Sequence, residues 1–160
     1  MSSRCLRCAR ILFAGIFVVV AGTAGAQAPP KKYSFVPVLH SVSYAGVWRG
    51  QTQLTVDQFL VKAKKLGFSH VELMAKRPHV SPLDYDIEAR QKLKARIQEL
   101  GLKLVCLAGY PDFTASADKP GIPSAEMGAI YVGELARLAH DLEAPIVRVF
   151  TGYERAGVPY

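Results

Sequence analysis

Apolar residues recur at helical spacing, every three or four positions, in three separate segments of the chain. Each segment begins with a polar residue suited to an N-terminal cap, and the first two end at a glycine suited to a C-terminal cap. The pattern therefore predicts three amphipathic helices. The apolar faces are Val56, Phe59, Leu60, Ala63 and Leu66, then Ala89, Leu93, Ile97 and Leu100, then Met127, Ile130, Tyr131, Leu135, Leu138 and Leu142; the caps are Thr55 with Gln58, Gly67, Asp86, Gly101 and Ser124.

The junctions between helix and strand repeat within the sequence. The segments "KKLGFSHVELM", "QELGLKLVCLA" and "HDLEAPIVRVF" align without gaps, and a valine falls at the same place in all three. The stretch "YSFVPVLHSVSY" adds a first strand from about Phe35, with Pro37 counting against a central position. Four strands alternating with three helices favour βαβ units, a parallel sheet and right-handed crossovers.

Alternation along the predicted strands assigns the two faces of the sheet. Val71 and Leu73 point to one side, as expected for a face that helices cover. Glu72, Cys106 and Arg148 hold the intervening position of their strands and point to the other side. A glutamate and an arginine in mid-strand fit poorly in a doubly wound sheet, which buries both faces. The pattern instead indicates the mouth or interior of a barrel.

The first 26 residues have the parts of a secretory signal peptide. Three arginines precede an apolar run from Ile11 to Ala21, and Ala24-Gly25-Ala26 offers a cleavage site. The run is shorter than the ~20 residues of a spanning helix, which favours cleavage over the alternative of an uncleaved membrane anchor. We expect an exported protein, periplasmic or secreted, with no stable membrane association after cleavage and an exposed linker at residues 27–34.

Without residues 1–26, the net charge of the chain gives little indication of its binding partners. Residues 1–26 carry three of the 20 Lys+Arg and none of the 13 Asp+Glu, so the formal charge falls from +7 to +4. This excess is too modest to indicate a nucleic-acid partner. Cys5 and Cys8 lie in the segment expected to be removed, which leaves Cys106 with no partner for an intramolecular disulfide.

Three longer stretches, "LTVDQFLVKAKKLGFSHVELM", "KLKARIQELGLKLVCLAGY" and "YVGELARLAHDLEAPIVRVFTG", together resemble the first part of the xylose-isomerase-like (sugar phosphate isomerase/epimerase) TIM-barrel family. The likeness covers roughly Phe35 to Tyr153. It implies a small sugar or sugar phosphate bound at the C-terminal mouth of the barrel. It also implies a divalent metal held by Glu, Asp and His, with acid-base carboxylates moving a proton next to a carbonyl.

Four strands and three helices are half of a (β/α)8 barrel, which takes ~250 residues. We therefore expect residues 35–160 to be the N-terminal half of a TIM barrel, apparently truncated at Tyr160. The family's metal ligands usually come from later strands, so the resemblance assigns no metal ligand to this chain. We expect the chain to be inactive by itself, and its open sheet edges to favour self-association.

Candidate substrate-binding residues lie at or after the ends of the predicted strands, on the side where TIM barrels build their sites. Cationic and histidine side chains suit anion binding or proton transfer, and a tryptophan suits a sugar ring. Each has a structural alternative: a solvated basic loop for "ELMAKRPH", an internal ion pair for Glu72 with Arg148, or packing under the loops. The candidates are His40, Trp48, Glu72, Lys76, Arg77, His79, Tyr110 and Arg148.

The leading hypothesis is the N-terminal part of an exported sugar or sugar-phosphate isomerase/epimerase that acts by metal-assisted proton transfer beside a carbonyl. The first alternative is a non-catalytic carbohydrate-binding or self-assembling half-barrel module. The second is a metal-dependent phosphodiesterase or abasic-site nuclease on the same fold, and the expected export argues against a DNA substrate.

Overall fold

The computed structural model of the protein describes residues 34–119, 121–154 and 156. In chain order the elements are β1 (Val38–His40), a 3₁₀ helix (Ser41–Tyr44), α1 (Val56–Lys65), β2 (His70–Met74), α2 (Ile87–Glu99), β3 (Lys103–Ala108), α3 (Ser124–Asp141) and β4 (Val147–Arg148). The predicted signal peptide and residues 27–33 of the predicted linker lie outside these ranges. Within them, no helix has the length and apolar character needed to span a bilayer.

The four strands form one parallel sheet in which each strand pairs with the next along the chain. This confirms the predicted α/β class, a partial (β/α)8 barrel of four parallel strands and three helices. The predicted start of β1 at Phe35 is wrong, because Phe35 is 92% exposed and pairing with β2 begins at Val38. Pro37 has no backbone N–H to donate to a ladder, so the strand begins directly after it.

The helices cover one face of the sheet, as the alternation predicted. Val71 and Leu73 of β2 are fully buried there, while Glu72 between them remains partly exposed on the other face. The buried side chains that form this core are Phe59, Leu60, Ala63, Val71, Leu73, Ala75, Val80, Leu93, Ile97, Leu102, Leu104, Leu107, Leu135, Leu138, Ala139 and Leu142.

The apolar face predicted for α3 is only partly correct. Leu135 is fully buried, but Met127 and Ile130 are 59% and 70% exposed. Arg90 in the first turn of α2 donates to Asp141, the last residue of α3, at 2.8 Å. The first half of α3 therefore extends past the start of α2, and no residue of α2 lies beside it to cover its apolar side chains.

Two of the three predicted N-terminal caps are confirmed. Thr55 makes both bonds of a capping box at α1, and the Asp86 side chain accepts from the backbone at the start of α2. The cap predicted at Ser124 is wrong, because Ser124 is the first residue of α3 and Pro123 occupies the cap position. The hydroxyl of Ser124 is instead 2.5 Å from Ser116 Oγ in the preceding loop.

The second residue after each helix adopts a left-handed backbone conformation and follows a leucine C-cap, which is the Leu-Gly or Leu-Glu pair of the repeat. Gly67 after α1 and Gly101 after α2 have φ of 84° and 62°, as expected for glycine caps. The corresponding residue after α3 is Glu143, with φ of 57°. A side chain in this region costs roughly 1–2 kcal/mol, so α3 ends at a strained position that the other two helices avoid.

We expect Glu143→Gly to raise the free energy of unfolding by about 0.5–1 kcal/mol, after the greater flexibility of glycine in the unfolded chain is subtracted. The matched control is Glu143→Ala, which also loses the exposed ion pair with Lys94 but keeps the β-carbon. Urea unfolding of the three proteins measures the difference. A glycine variant no more stable than the alanine variant would contradict the assigned strain.

Candidate functional site

A row of polar side chains crosses the sheet on the face opposite the helices. His40, Glu72 and Cys106 are paired directly across β1, β2 and β3. Arg148 of β4 pairs with Ala108, two residues beyond Cys106, and so lies on the same face by alternation. The inner-face row, defined as these four residues, thus takes one member from each strand.

An ion pair joins the second and fourth strands within this row. Arg148 Nε donates to Glu72 Oε1 at 3.1 Å, and the two side chains are 36% and 20% exposed. Burial works to lower the pKa of Arg148, but hydrogen bonds to Glu72 and Tyr110 outweigh it and raise that pKa. Burial, reinforced by the charge of Glu72, raises the pKa of Cys106, so its thiol stays protonated and is no nucleophile.

His40 is the member of the row whose hydrogen bonding is incomplete. Its Nδ1 lies 3.9 Å from Glu72 Oε2, too far for a hydrogen bond, and its Nε2 is buried without a hydrogen-bond partner among the described residues. Burial lowers the pKa of His40; Glu72 opposes this, while Arg148 and His79 add to it. The imidazole is therefore neutral near pH 7 and able to accept or release a proton.

A second group of side chains follows the row towards the carboxyl ends of the strands. Lys76 Nζ lies 4.0 Å from the centre of the Tyr110 ring, and the Arg148 guanidinium lies 4.9 Å from the Phe150 ring. The two rings are 5.6 Å apart. We call Lys76, Tyr110 and Phe150, together with the head of Arg148, the aromatic-cation cluster. Phe150 was missed in the sequence, although it follows Arg148 by two residues and alternation places it on this face.

Of the eight candidates, the structure brings five together and separates three. His40, Glu72, Lys76, Tyr110 and Arg148 form the row and the cluster. Arg77 points away to an exposed ion pair in which its Nε donates to Asp84 Oδ2 at 2.8 Å. Trp48 lies in the loop after the 3₁₀ helix and is 61% exposed. Neither interpretation of "ELMAKRPH" holds for the whole segment, because Lys76 faces the site and Arg77 faces solvent.

His79 is neither a rim residue nor part of a solvated loop, because it is only 3% exposed and both ring nitrogens contact protein. Its Nε2 lies 3.1 Å from the Leu54 carbonyl oxygen, and its Nδ1 lies 2.9 Å from Ser41 Oγ. A carbonyl only accepts, so Nε2 carries the proton and Nδ1 accepts from the serine hydroxyl. Ser41 Oγ in turn accepts from the Met74 backbone N–H at 2.8 Å. In its neutral form His79 therefore links three segments by hydrogen bonds: the 3₁₀ helix, the loop before α1 and the loop after β2.

This network makes stability depend on pH. Burial lowers the pKa of His79 below its ordinary 6.5. Below about pH 6.5 the unfolded chain consequently binds more protons than the folded chain, and stability falls with the pH until the folded-state pKa is passed. Unfolding in urea between pH 7.5 and 5 should show this loss. We expect His79→Gln to reduce the slope, with His40 contributing the remainder; an unchanged slope would contradict the assignment.

The described residues do not by themselves suit a divalent metal. They contain no group of three or more His, Cys, Asp or Glu side chains able to hold such an ion. Glu72, the carboxylate of the inner-face row, already pairs with a guanidinium, which would repel a metal ion beside it. The positive charge within the inner-face row is that of Arg148.

Comparison with known proteins identifies the fold. No protein-family model matches the chain, and no curated protein matches it. Among solved structures it is similar to the probable 3-DHS dehydratase AsbF involved in petrobactin synthesis from Bacillus anthracis, at 19% identity and a TM-score of 0.55. The match covers 74% of this chain and 39% of that protein. The chain thus has the fold of part of a TIM barrel, and it spans well under half of the protein it matches.

Proposed function

We propose that the chain is the N-terminal part of an exported TIM-barrel enzyme that binds a sugar or sugar phosphate and moves a proton beside its carbonyl group. The observation that carries the proposal is the inner-face row, in which His40, Glu72 and Arg148 meet across a parallel sheet. Such polar groups on the uncovered face, near the carboxyl ends of the strands, have the location of TIM-barrel active sites. The basic and apolar pattern of residues 1–26 supports export.

Three residues of the row, His40, Glu72 and Arg148, each have a chemical task in this proposal. His40 accepts or releases the proton as a neutral imidazole, whose pKa burial lowers. Arg148 stabilises the negative charge that develops on the carbonyl oxygen, and Glu72 holds the guanidinium in place. A divalent metal would polarise the same oxygen, but the described residues do not fit one, so no step here depends on it.

The four described strands are expected to bind ligand without turnover, because a complete barrel uses eight strands to enclose its site. Isothermal calorimetry of the full chain with the ketose D-xylulose tests the binding. We expect His40→Leu and Glu72→Gln each to weaken the affinity by about tenfold, the value of one lost polar contact, while His140→Leu on α3 leaves it unchanged. No binding by the native chain would overturn the proposal. Epimerisation of xylulose by the chain would overturn the expected lack of turnover.

The sheet edges favour a second candidate function, a self-assembling half-barrel. β1 and β4 each lack a strand neighbour on one side within the described residues. Val38 in β1 is 41% exposed, and Val149 directly after β4 is 39% exposed. Unpaired edges invite pairing with another chain. Analytical ultracentrifugation tests this candidate, because self-assembly requires a stable dimer or larger species and a monomer excludes it.

A further inference from the structure

The geometry points to a ligand with an anionic substituent, a phosphate or a carboxylate, which Lys76 of the aromatic-cation cluster binds at the end remote from the reacting carbonyl. This inference rests on the proposed function and specifies its substrate class. It does not follow from the inner-face row, which would serve a neutral sugar equally well.

The charges of the site do not balance. Lys76 and Arg148 bring two positive charges, and Glu72 is the one carboxylate paired with either of them among the described residues. Lys76 rests on the Tyr110 ring and forms no ion pair in the described part of the chain. Arg77, its neighbour, is by contrast neutralised by Asp84. One positive charge therefore remains uncompensated on the side of the loop that faces the site.

The surroundings of that charge suit an anion. The Tyr110 ring covers one side of the Lys76 ammonium, which is half-buried, and a partly dehydrated cation attracts an anion more strongly than an exposed one does. Arg148 is held by Glu72 beside the carbonyl oxygen, so Lys76 supplies the charge that binds the anion.

The arrangement also sets the direction of the ligand. Lys76 follows Glu72 by four residues, and Tyr110 follows Cys106 by four, so the cluster lies nearer the carboxyl ends of the strands than the row does. A ligand that places its carbonyl at His40 therefore extends its anionic end towards Lys76.

Two matched pairs of ketoses test the inference on the full chain by calorimetry. D-xylulose and D-xylulose 5-phosphate differ by a phosphate, and D-fructose and D-fructuronate differ by a terminal carboxylate. We expect at least one anionic member to bind about tenfold or more tightly than its neutral partner. Lys76→Met should abolish this preference and leave the neutral ligands unaffected. Lys92→Met is the control, because Lys92 lies exposed on α2, and thermal melts verify that both variants fold.

The outcomes separate the inference from the proposed function. A preference for the phosphate alone, or the carboxylate alone, supports the cluster and names its anion. Equal affinity for neutral and anionic ketoses, or a preference that survives Lys76→Met, overturns the anionic subsite while the proposed function stands. Absence of binding by all four ketoses overturns both.

Discussion

Replacing Ser41 with alanine is expected to lower the free energy of unfolding by about 2–4 kcal/mol, although the change removes a single oxygen atom. That oxygen is fully buried and serves two partners, the Met74 backbone N–H and the His79 ring. Both lose a hydrogen bond in the variant and cannot reach water, and each buried group left unsatisfied costs about 1–3 kcal/mol. Ser41 directly follows His40, so the same loss should loosen the end of β1 at the site.

The control for this experiment is Ser43→Ala, two residues further along the same 3₁₀ helix. Ser43 is exposed, and a surface change of this kind stays within about 0.5 kcal/mol. Urea unfolding at pH 7.5 measures both variants. A Ser41→Ala protein as stable as the control would show that the hydrogen bonds of Ser41 to Met74 and His79 do not stabilise the fold.

The second large effect is expected at the contact between α3 and the end of β3. Leu135 is fully buried, and a β-carbon added to Gly109 would lie 2.5 Å from its Cδ1. Leu135 thus fills the space that the glycine leaves. We expect Leu135→Ala to cost about 2–5 kcal/mol, the range for a leucine removed from a packed core. Because Gly109 N donates to the Arg148 carbonyl at 2.7 Å, this packing also holds β4 and its arginine in place.

A double substitution distinguishes this contact from general loss of packing. Gly109→Ala alone should cost about 1–3 kcal/mol through overpacking, whereas in the Leu135→Ala background the added methyl group enters the vacated space. We expect the double variant to lose less stability than the two single variants combined, by about 1 kcal/mol or more. Met127→Ala, at an exposed position of the same helix, is the control. Strict additivity would contradict the direct contact.

The sequence was sufficient for the fold and for the centre of the site because both depend on short-range patterns. Helical spacing predicted α1 and α2 with their caps, and the repeated helix-to-strand junction aligned the strands. Alternation within the strands then placed Glu72 and Arg148 on one face, and the structure confirms their ion pair.

What the sequence did not predict depends on contacts between distant segments. The burial of His79 follows from Ser41 and Leu54, which lie 38 and 25 residues away in the chain. Met127 is exposed because α2 begins beside the end of α3 and does not reach the first half of that helix. Similarly, Lys76 and Arg77 are adjacent in the sequence, and only the position of Asp84 shows which of them turns to solvent.

Proton NMR of the imidazole rings can show whether the inner-face row binds a carbonyl compound through His40. The chain contains four histidines, so the Cε1–H signals are few, and His40→Gln assigns the signal of interest. As D-xylulose is added, we expect a saturable shift of the His40 signal while His140, whose side chain is 89% exposed on α3, does not respond. A His40 signal that stays fixed, or that moves only as His140 does, would contradict binding through His40.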